Sequence, residues 1–271
     1  MAKSDTGGGR RKAVCVGIDT YASAPLDGCV ADAKLWAKTL KKMDFKTRLL
    51  TNEAATRAAI LEALEGLVGA SKPGDVLVFQ FAGHGTQVPD LDGDEDDGKD
   101  EALCPVDVYE GRFVIDDDIW DVLGNIPQGV NLTVFLDCCH SGSATRAFGF
   151  PFGGKPTTPS KRRYMVATRD IQRAHKAFRA SLGTPAVERS AEGMAWVNFS
   201  ACQPHEVAFE QDGHGDFTRY ATRVLEAGRG KLTHESFQIK VVEAFGPTPR
   251  QRPYLDCTAA ARQQGLLAPI A

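Results

Sequence analysis

Two short segments carry residue types that do covalent chemistry. Gly83-His84-Gly85-Thr86-Gln87 follows an apolar run at 75–82 (DVLVFQFA), and Cys138-Cys139-His140-Ser141-Gly142 follows another at 132–137 (LTVFLD). A thiol with a pKa of about 8.5 is a weak nucleophile at neutral pH, and a nearby imidazole favours the thiolate. The same imidazole can then protonate a departing amine. Backbone N–H groups at Gly85 and Cys139 would hold the oxyanion without using a side chain. Glycines on both sides of His84 leave its ring exposed and let other backbone approach closely. Strand alternation sends one of Cys138 and Cys139 into the packing and the other outward, and the sequence does not say which. Either residue type alone is more often a packing residue. The pair together, in glycine-rich turns at strand ends, points to a thiol hydrolase.

The elements that must position them alternate. Lys12–Ile18, Thr47–Thr51, 75–82, 132–137 and Trp196–Ala201 are short, apolar and β-branched, as buried strands are. Helical spacing joins Val30, Ala33, Ala37 and Leu40, then Ile60, Leu64, Leu67 and Val68. It recurs in Phe217, Tyr220, Ala221, Val224 and Leu225, and in Phe237, Val241 and Phe245. Arg112–Ile115 reads as a short hairpin arm. Strands separated by helices predict an α/β fold with a mostly parallel sheet, whose ligands bind beyond the carboxyl ends of the strands. Both chemical segments lie at that edge. Residues 146–194, with four prolines and the basic run Lys161-Arg162-Arg163, read as an exposed linker. Residues 1–11 read as a flexible lead-in with no room for a prodomain, 12–258 as one domain and 259–271 as a tail.

The 271 residues carry a net charge of −3, which argues against a nucleic-acid coat or a membrane-surface binder. No apolar run nears the roughly 20 residues of a membrane helix, and the N-terminus lacks the apolar core of a secretory signal. Seven cysteines, an odd number, suit free thiols in a reducing cytoplasm. Gly149–Lys155 mimics a phosphate-binding loop, but Pro156 replaces the Ser or Thr and no strand precedes it. The cysteines and histidines lack zinc-ligand spacing. The acidic stretch 90–101 has Glu95 where an EF-hand turn needs Gly.

The segments FAGHGTQ and DCCHSGS resemble the two catalytic motifs of metacaspases and orthocaspases, caspase-like cysteine peptidases of the C14 type. His84 lies 55 residues before Cys139, against about 50 in caspases. LDGCVADA, DEALCPVD, IDDDI, FSACQ and DFTRYATRVLEA extend the resemblance from Lys12 to about Asp256. It implies a three-layer α/β/α sandwich, with 12–145 and 195–258 as large- and small-subunit-like parts around the linker. It also implies Cys139 as nucleophile, His84 as base, and Asp32 and Asp137 as the acidic lining of a pocket for Arg or Lys before the cut bond. Calcium ligands are implied at Asp100, Asp116 and Asp117, but the fourth acidic position holds Arg146, which cannot ligate and would repel the ion. Ala82 stands where the family has a serine. The resemblance implies protein or peptide substrates and a monomer. An acidic pocket also makes Lys155, Lys161, Arg162 and Arg163 candidate self-cleavage sites. The competing readings are a catalytically weak caspase-like scaffold and an acyl hydrolase with an apolar pocket.

Overall fold

The computed structural model describes residues 9–91, 93, 95, 98–140, 160–183, 194–228 and 230–270. The chain runs β1 (Arg11–Gly17), α1 (Cys29–Lys41), β2 (Lys46–Thr51), α2 (Arg57–Val68), β3 (Val76–Ala82), β4 (Gly85–Pro89), β5 (Lys99–Leu103) and β6 (Val114–Ile115). It continues α3 (Asp116–Leu123), β7 (Asn131–Asp137), β8 (Lys161–Arg162), α4 (Arg169–Leu182), β9 (Val197–Ser200), β10 (Phe209–Gln211) and β11 (His214–Gly215). The last elements are α5 (Asp216–Gly228), α6 (His234–Ala244), β12 (Tyr254–Asp256) and α7 (Ala259–Arg262).

Six strands form the central sheet in the order β12-β9-β7-β3-β1-β2. All pairs are parallel except the edge pair β12–β9. Every residue of β3 and β7 is buried, as strands covered on both faces must be. Alternation along them sorts the core into two layers. Leu77, Phe79, Phe81, Leu132 and Val134 pack with Ile60, Leu64 and Leu67 of α2 and Leu123 of α3. Val76, Val78 and Phe135 pack with Trp36 and Leu40 of α1, Phe217 and Leu225 of α5, and Phe237 of α6. The result is the three-layer α/β/α sandwich. Two smaller sheets, β4-β5-β6 and β11-β10-β8, attach to it.

Register aligns the chemical segments. Gly17 pairs with Ala82, and Ala82 pairs with Asp137. His84 and Cys139 therefore leave adjacent strands at the same level. Helix α1 opens at the same edge, with Asp32 in its first turn.

Two expectations change. The stretch 146–194 is not simply an exposed loop, because its described part holds β8 and the 14-residue helix α4. Thr168 caps α4 by accepting from the Ile171 amide, and His175 is buried with Nδ1 2.9 Å from the Gly111 carbonyl oxygen. Only Ile171 and His175 of this helix are buried, so its polar sequence hid the periodicity. The tail 259–271 is anchored as well: Leu266 and Leu267 are 2% exposed, and Asn131 donates to the Gly265 and Ala268 carbonyls. Val114–Ile115 pairs with β5, so it completes the small β4-β5-β6 sheet. All seven cysteines are free, and among the described residues no helix is long and apolar enough to cross a membrane. The N-terminal lead-in to residue 8, Arg146 and Lys155 lie outside the described residues.

Phe135 is the hub of the second layer. Its ring stacks 4.3 Å from Trp36 and 5.3 Å from Phe199, with Phe237 edge-on at 6.0 Å. Phe135→Ala should cost about 3–5 kcal/mol in urea unfolding. A loss below about 1 kcal/mol would contradict this packing.

Candidate active site

Strand β7 sends the two cysteines to opposite layers. Leu132, Val134, Leu136 and Cys138 face the α2–α3 layer, whereas Phe135 and Cys139 face the other. Asp137 falls on the Cys139 side by the same alternation, and its Oδ2 accepts from the Thr218 amide and hydroxyl of α5 at 3.0 and 2.7 Å. Neither cysteine points outward as expected, because helices cover both faces of the sheet: Cys139 is buried in the second layer and Cys138 in the first, its Sγ 3.7 Å from His140 Nε2.

His84 is not open to solvent as expected but 2% exposed, covered by Tyr21 and the Ala24 carbonyl, whose oxygen lies 2.7 Å from Nε2. A carbonyl only accepts, so Nε2 carries the proton and Nδ1 is the bare nitrogen. Nδ1 has no hydrogen-bond partner among the described groups. The Tyr21 ring packs 4.6 Å from the imidazole, and its hydroxyl accepts from the His84 amide while donating to the Cys104 carbonyl. Burial pushes the imidazole pKa down to about 4, and the Arg163 and Lys161 cations push the same way. His84 is therefore a neutral base at pH 7.

The linker residue Arg163 enters this site. Its carbonyl oxygen accepts from the Gly85 amide at 3.1 Å and the Cys139 amide at 3.2 Å, and Cys139 Sγ lies 3.5 Å from it. Its guanidinium, with no exposed surface, is enclosed by three carboxylates: Asp32 Oδ2 at 2.5 Å, Asp137 Oδ2 at 2.9 Å and Glu210 Oε2 at 3.2 Å. The Asp137 carbonyl takes a further bond from Nη1 at 3.2 Å. Burial raises the Asp137 pKa to about 6 despite Arg163, with Asp32 adding to the rise. Gly215 donates to Asp32 Oδ2, and His214 Nδ1 lies 2.8 Å from Asp32 Oδ1, a contact that raises the histidine pKa. Two glycines allow the close approach. A Cβ on Gly85 would meet the Cys139 carbonyl oxygen at 2.3 Å, and one on Gly215 would meet Asp137 Oδ2 at 2.4 Å.

The structure thus brings His84, Cys139, Gly85, Asp32 and Asp137 around one residue. Glu210 and His214 were not singled out by sequence. Each is an ordinary polar residue on a very short strand, and only long-range pairing brings it to the cage. Ala82 packs in the apolar layer. Asp100 is on β5, and Asp116 and Asp117 open α3. Among the described residues no group of three His, Cys, Asp or Glu side chains is placed to hold a metal. Calcium takes about six to eight oxygens, more than these three carboxylates supply by themselves. The fourth position, Arg146, lies outside the described residues.

The depressed His84 pKa sets a sign for stability. An unfolded chain takes up this proton near pH 6.5, whereas the folded chain resists until about 4. The unfolded state binds more protons between those values, so this contribution to stability is lost as pH falls through that window. Urea unfolding at pH 7 and about pH 4.5 should show the wild type losing more stability than His84→Ala. Equal losses would mean that the imidazole is not held neutral.

The family model for the metacaspase, peptidase C14 domain matches residues 11–147. A Metacaspase-1 of Cryptococcus neoformans is 42% identical over 154 residues, covering 50% of this chain and 33% of that protein. A Metacaspase-1A of Aspergillus oryzae is 41% identical over 148 residues, covering 50% of this chain and 35% of that one. The chain thus spans about a third of the length of these relatives. A solved structure of a Geobacter sulfurreducens protein superposes with a TM-score of 0.78 at 26% identity, covering 97% of this chain and 100% of that one. With a family model matched from the first strand past both chemical segments, the chain belongs to the metacaspases, the C14 peptidase family.

Proposed function

We propose that this metacaspase is a cysteine endopeptidase that hydrolyses peptide bonds after arginine and, less efficiently, lysine, and that it cuts its own chain between Arg163 and Tyr164. One observation carries the reading. Arg163 has its carbonyl on the Gly85 and Cys139 amides and its side chain inside a cage of three carboxylates. That is how a substrate would bind.

The chemistry follows from the groups in place. His84 Nδ1 takes the Cys139 thiol proton, and the sulfur attacks the Arg163 carbonyl carbon. The negative oxygen is held by the two amides, each such donor being worth roughly 10²–10³ in rate. The imidazolium then protonates the Tyr164 nitrogen as the C–N bond breaks, leaving Arg163 as a thioester. Water, deprotonated by His84, attacks the thioester, releases the arginine carboxylate and restores the thiol.

Arginine is preferred because the cage accepts from several donors at once, a planar fork that an ammonium cannot match. An apolar acyl group would leave three buried carboxylates unpaired, which disfavours a simple esterase. The scaffold reading has one specific support: Arg163 could be a permanent strap that never leaves the cage. Irreversible labelling of Cys139 by an arginine-mimicking electrophile counts against the strap, and its absence supports it.

Mass spectrometry of purified protein should find a fragment beginning at Tyr164 in the wild type and none in Cys139→Ala. No cut within 146–194, or the same cut in Cys139→Ala, would end the self-cleavage reading. On arginyl peptides, Asp32→Asn and Asp137→Asn should each lower kcat/KM by roughly 10²-fold, since one member of a buried charge pair is lost. A loss below about threefold would remove the cage from substrate recognition.

A further inference from the structure

The segment that reaches the cage also lies along a neighbouring strand. Arg162 pairs with Phe209 and Lys161 with Glu210, antiparallel, and the Arg163 amide donates to the Ala208 carbonyl at 2.9 Å. Successive side chains of an extended segment point to opposite sides. Arg163 is buried, Arg162 is exposed, and Lys161 returns to the side of Arg163. There Lys161 Nζ lies 2.7 Å from Asp27 Oδ2 and donates to the Pro25 carbonyl oxygen at 2.9 Å.

These two acceptors are tethered by bonds that do not involve Lys161. The Asp27 amide donates to Glu210 Oε1 at 2.8 Å, and the Gly28 amide to Glu210 Oε2 at 3.3 Å. The Leu26 amide donates to the Asp19 carbonyl at 3.0 Å. Glu210 thus fixes the 25–28 loop with its backbone contacts while it pairs with Arg163. The loop and the cage share one carboxylate, so they keep a fixed spacing.

We infer that Asp27 and the Pro25 carbonyl form a second cation subsite, selecting Lys or Arg two residues before the arginine that is cut. This rests on the proposed peptidase reading and adds a substrate class to it: extended basic segments in which the first and third positions read inward and the middle one faces solvent. The subsite is more open than the cage, with side-chain exposures of 35% for Lys161 and 68% for Asp27. Exposed pairs are weak, so the selection should be modest, roughly three- to tenfold in kcat/KM.

The test uses the full chain and three coumarin-amide peptides, acetyl-Lys-Ala-Arg, acetyl-Ala-Lys-Arg and acetyl-Ala-Ala-Arg. The first should be cut about three- to tenfold more efficiently than the third, and the second no better than the third. The advantage should shrink in added salt, which screens exposed pairs. In Asp27→Asn the ratio of the first peptide to the third should fall toward one. Equal cutting of all three by wild type, or an unchanged ratio in Asp27→Asn, overturns the subsite while leaving the arginine specificity standing. Failure of wild type to cut any of the three overturns the peptidase reading itself.

Discussion

The site is organised around one fully desolvated ion cluster. A guanidinium without exposed surface sits among Asp32, Asp137 and Glu210, which are 0%, 1% and 3% exposed. Such clusters gain little net stability, because the cost of dehydrating the charges nearly cancels their attraction. Burial raises the Asp137 pKa, which disfavours the pair, while the carboxylates raise that of Arg163 against its own burial, which favours it. An apolar plug of equal volume would do as much for the fold. On the proposed reading the cluster is a receptor: three carboxylates in one cavity demand a cation.

The cage is also a device for alignment. Guanidinium and carbonyl belong to the same residue, so their separation is limited by its covalent reach. With one end held by carboxylates, the other falls on the Gly85 and Cys139 amides. The walls come from distant stretches of chain. Asp32 is on α1, Asp137 ends β7 and Glu210 is on β10, while Thr218 of α5 and Gly215 of β11 hold two of these carboxylates by donated bonds. The parts before and after the linker must both be docked before the pocket exists. Glu210 is the most connected of the walls, since it serves the guanidinium and the 25–28 loop together.

Much of this arrangement was legible in the residues. Strand and helix periodicities named the sheet, and the glycine-flanked His84 and the pair Cys138-Cys139 named the chemistry. Which layer each cysteine enters was not legible until the alternation of β7 could be counted from Leu132, Val134 and Leu136 on one face. Asp32 reads in isolation as a solvated helix carboxylate. Its burial depends on His214, Gly215 and Arg163, all more than 130 residues away. Glu210 offered no local signal for the same reason. Helix α4 escaped because its buried stripe is two residues wide, too narrow for a pattern to stand out from a charged background. The last residues escaped because two adjacent leucines among alanines and glutamines show no strand or helix period, and only the bonds from Asn131 to the Gly265 and Ala268 carbonyls and from Arg11 to the Leu267 carbonyl reveal the docking.

The occupied cage also bears on the base. His84 stays neutral partly because it is dry and partly because the guanidinium stands nearby. On the proposed reading the lowered pKa leaves Nδ1 bare to take the thiol proton, at the cost of a weaker base. A substrate supplied by the chain itself needs no diffusional encounter and has already spent the entropy of association. The first cut is then governed by proton transfer and attack. Later cuts require the same cage to surrender one arginine to water and accept another, which a nearly balanced ion cluster permits and an apolar plug would not.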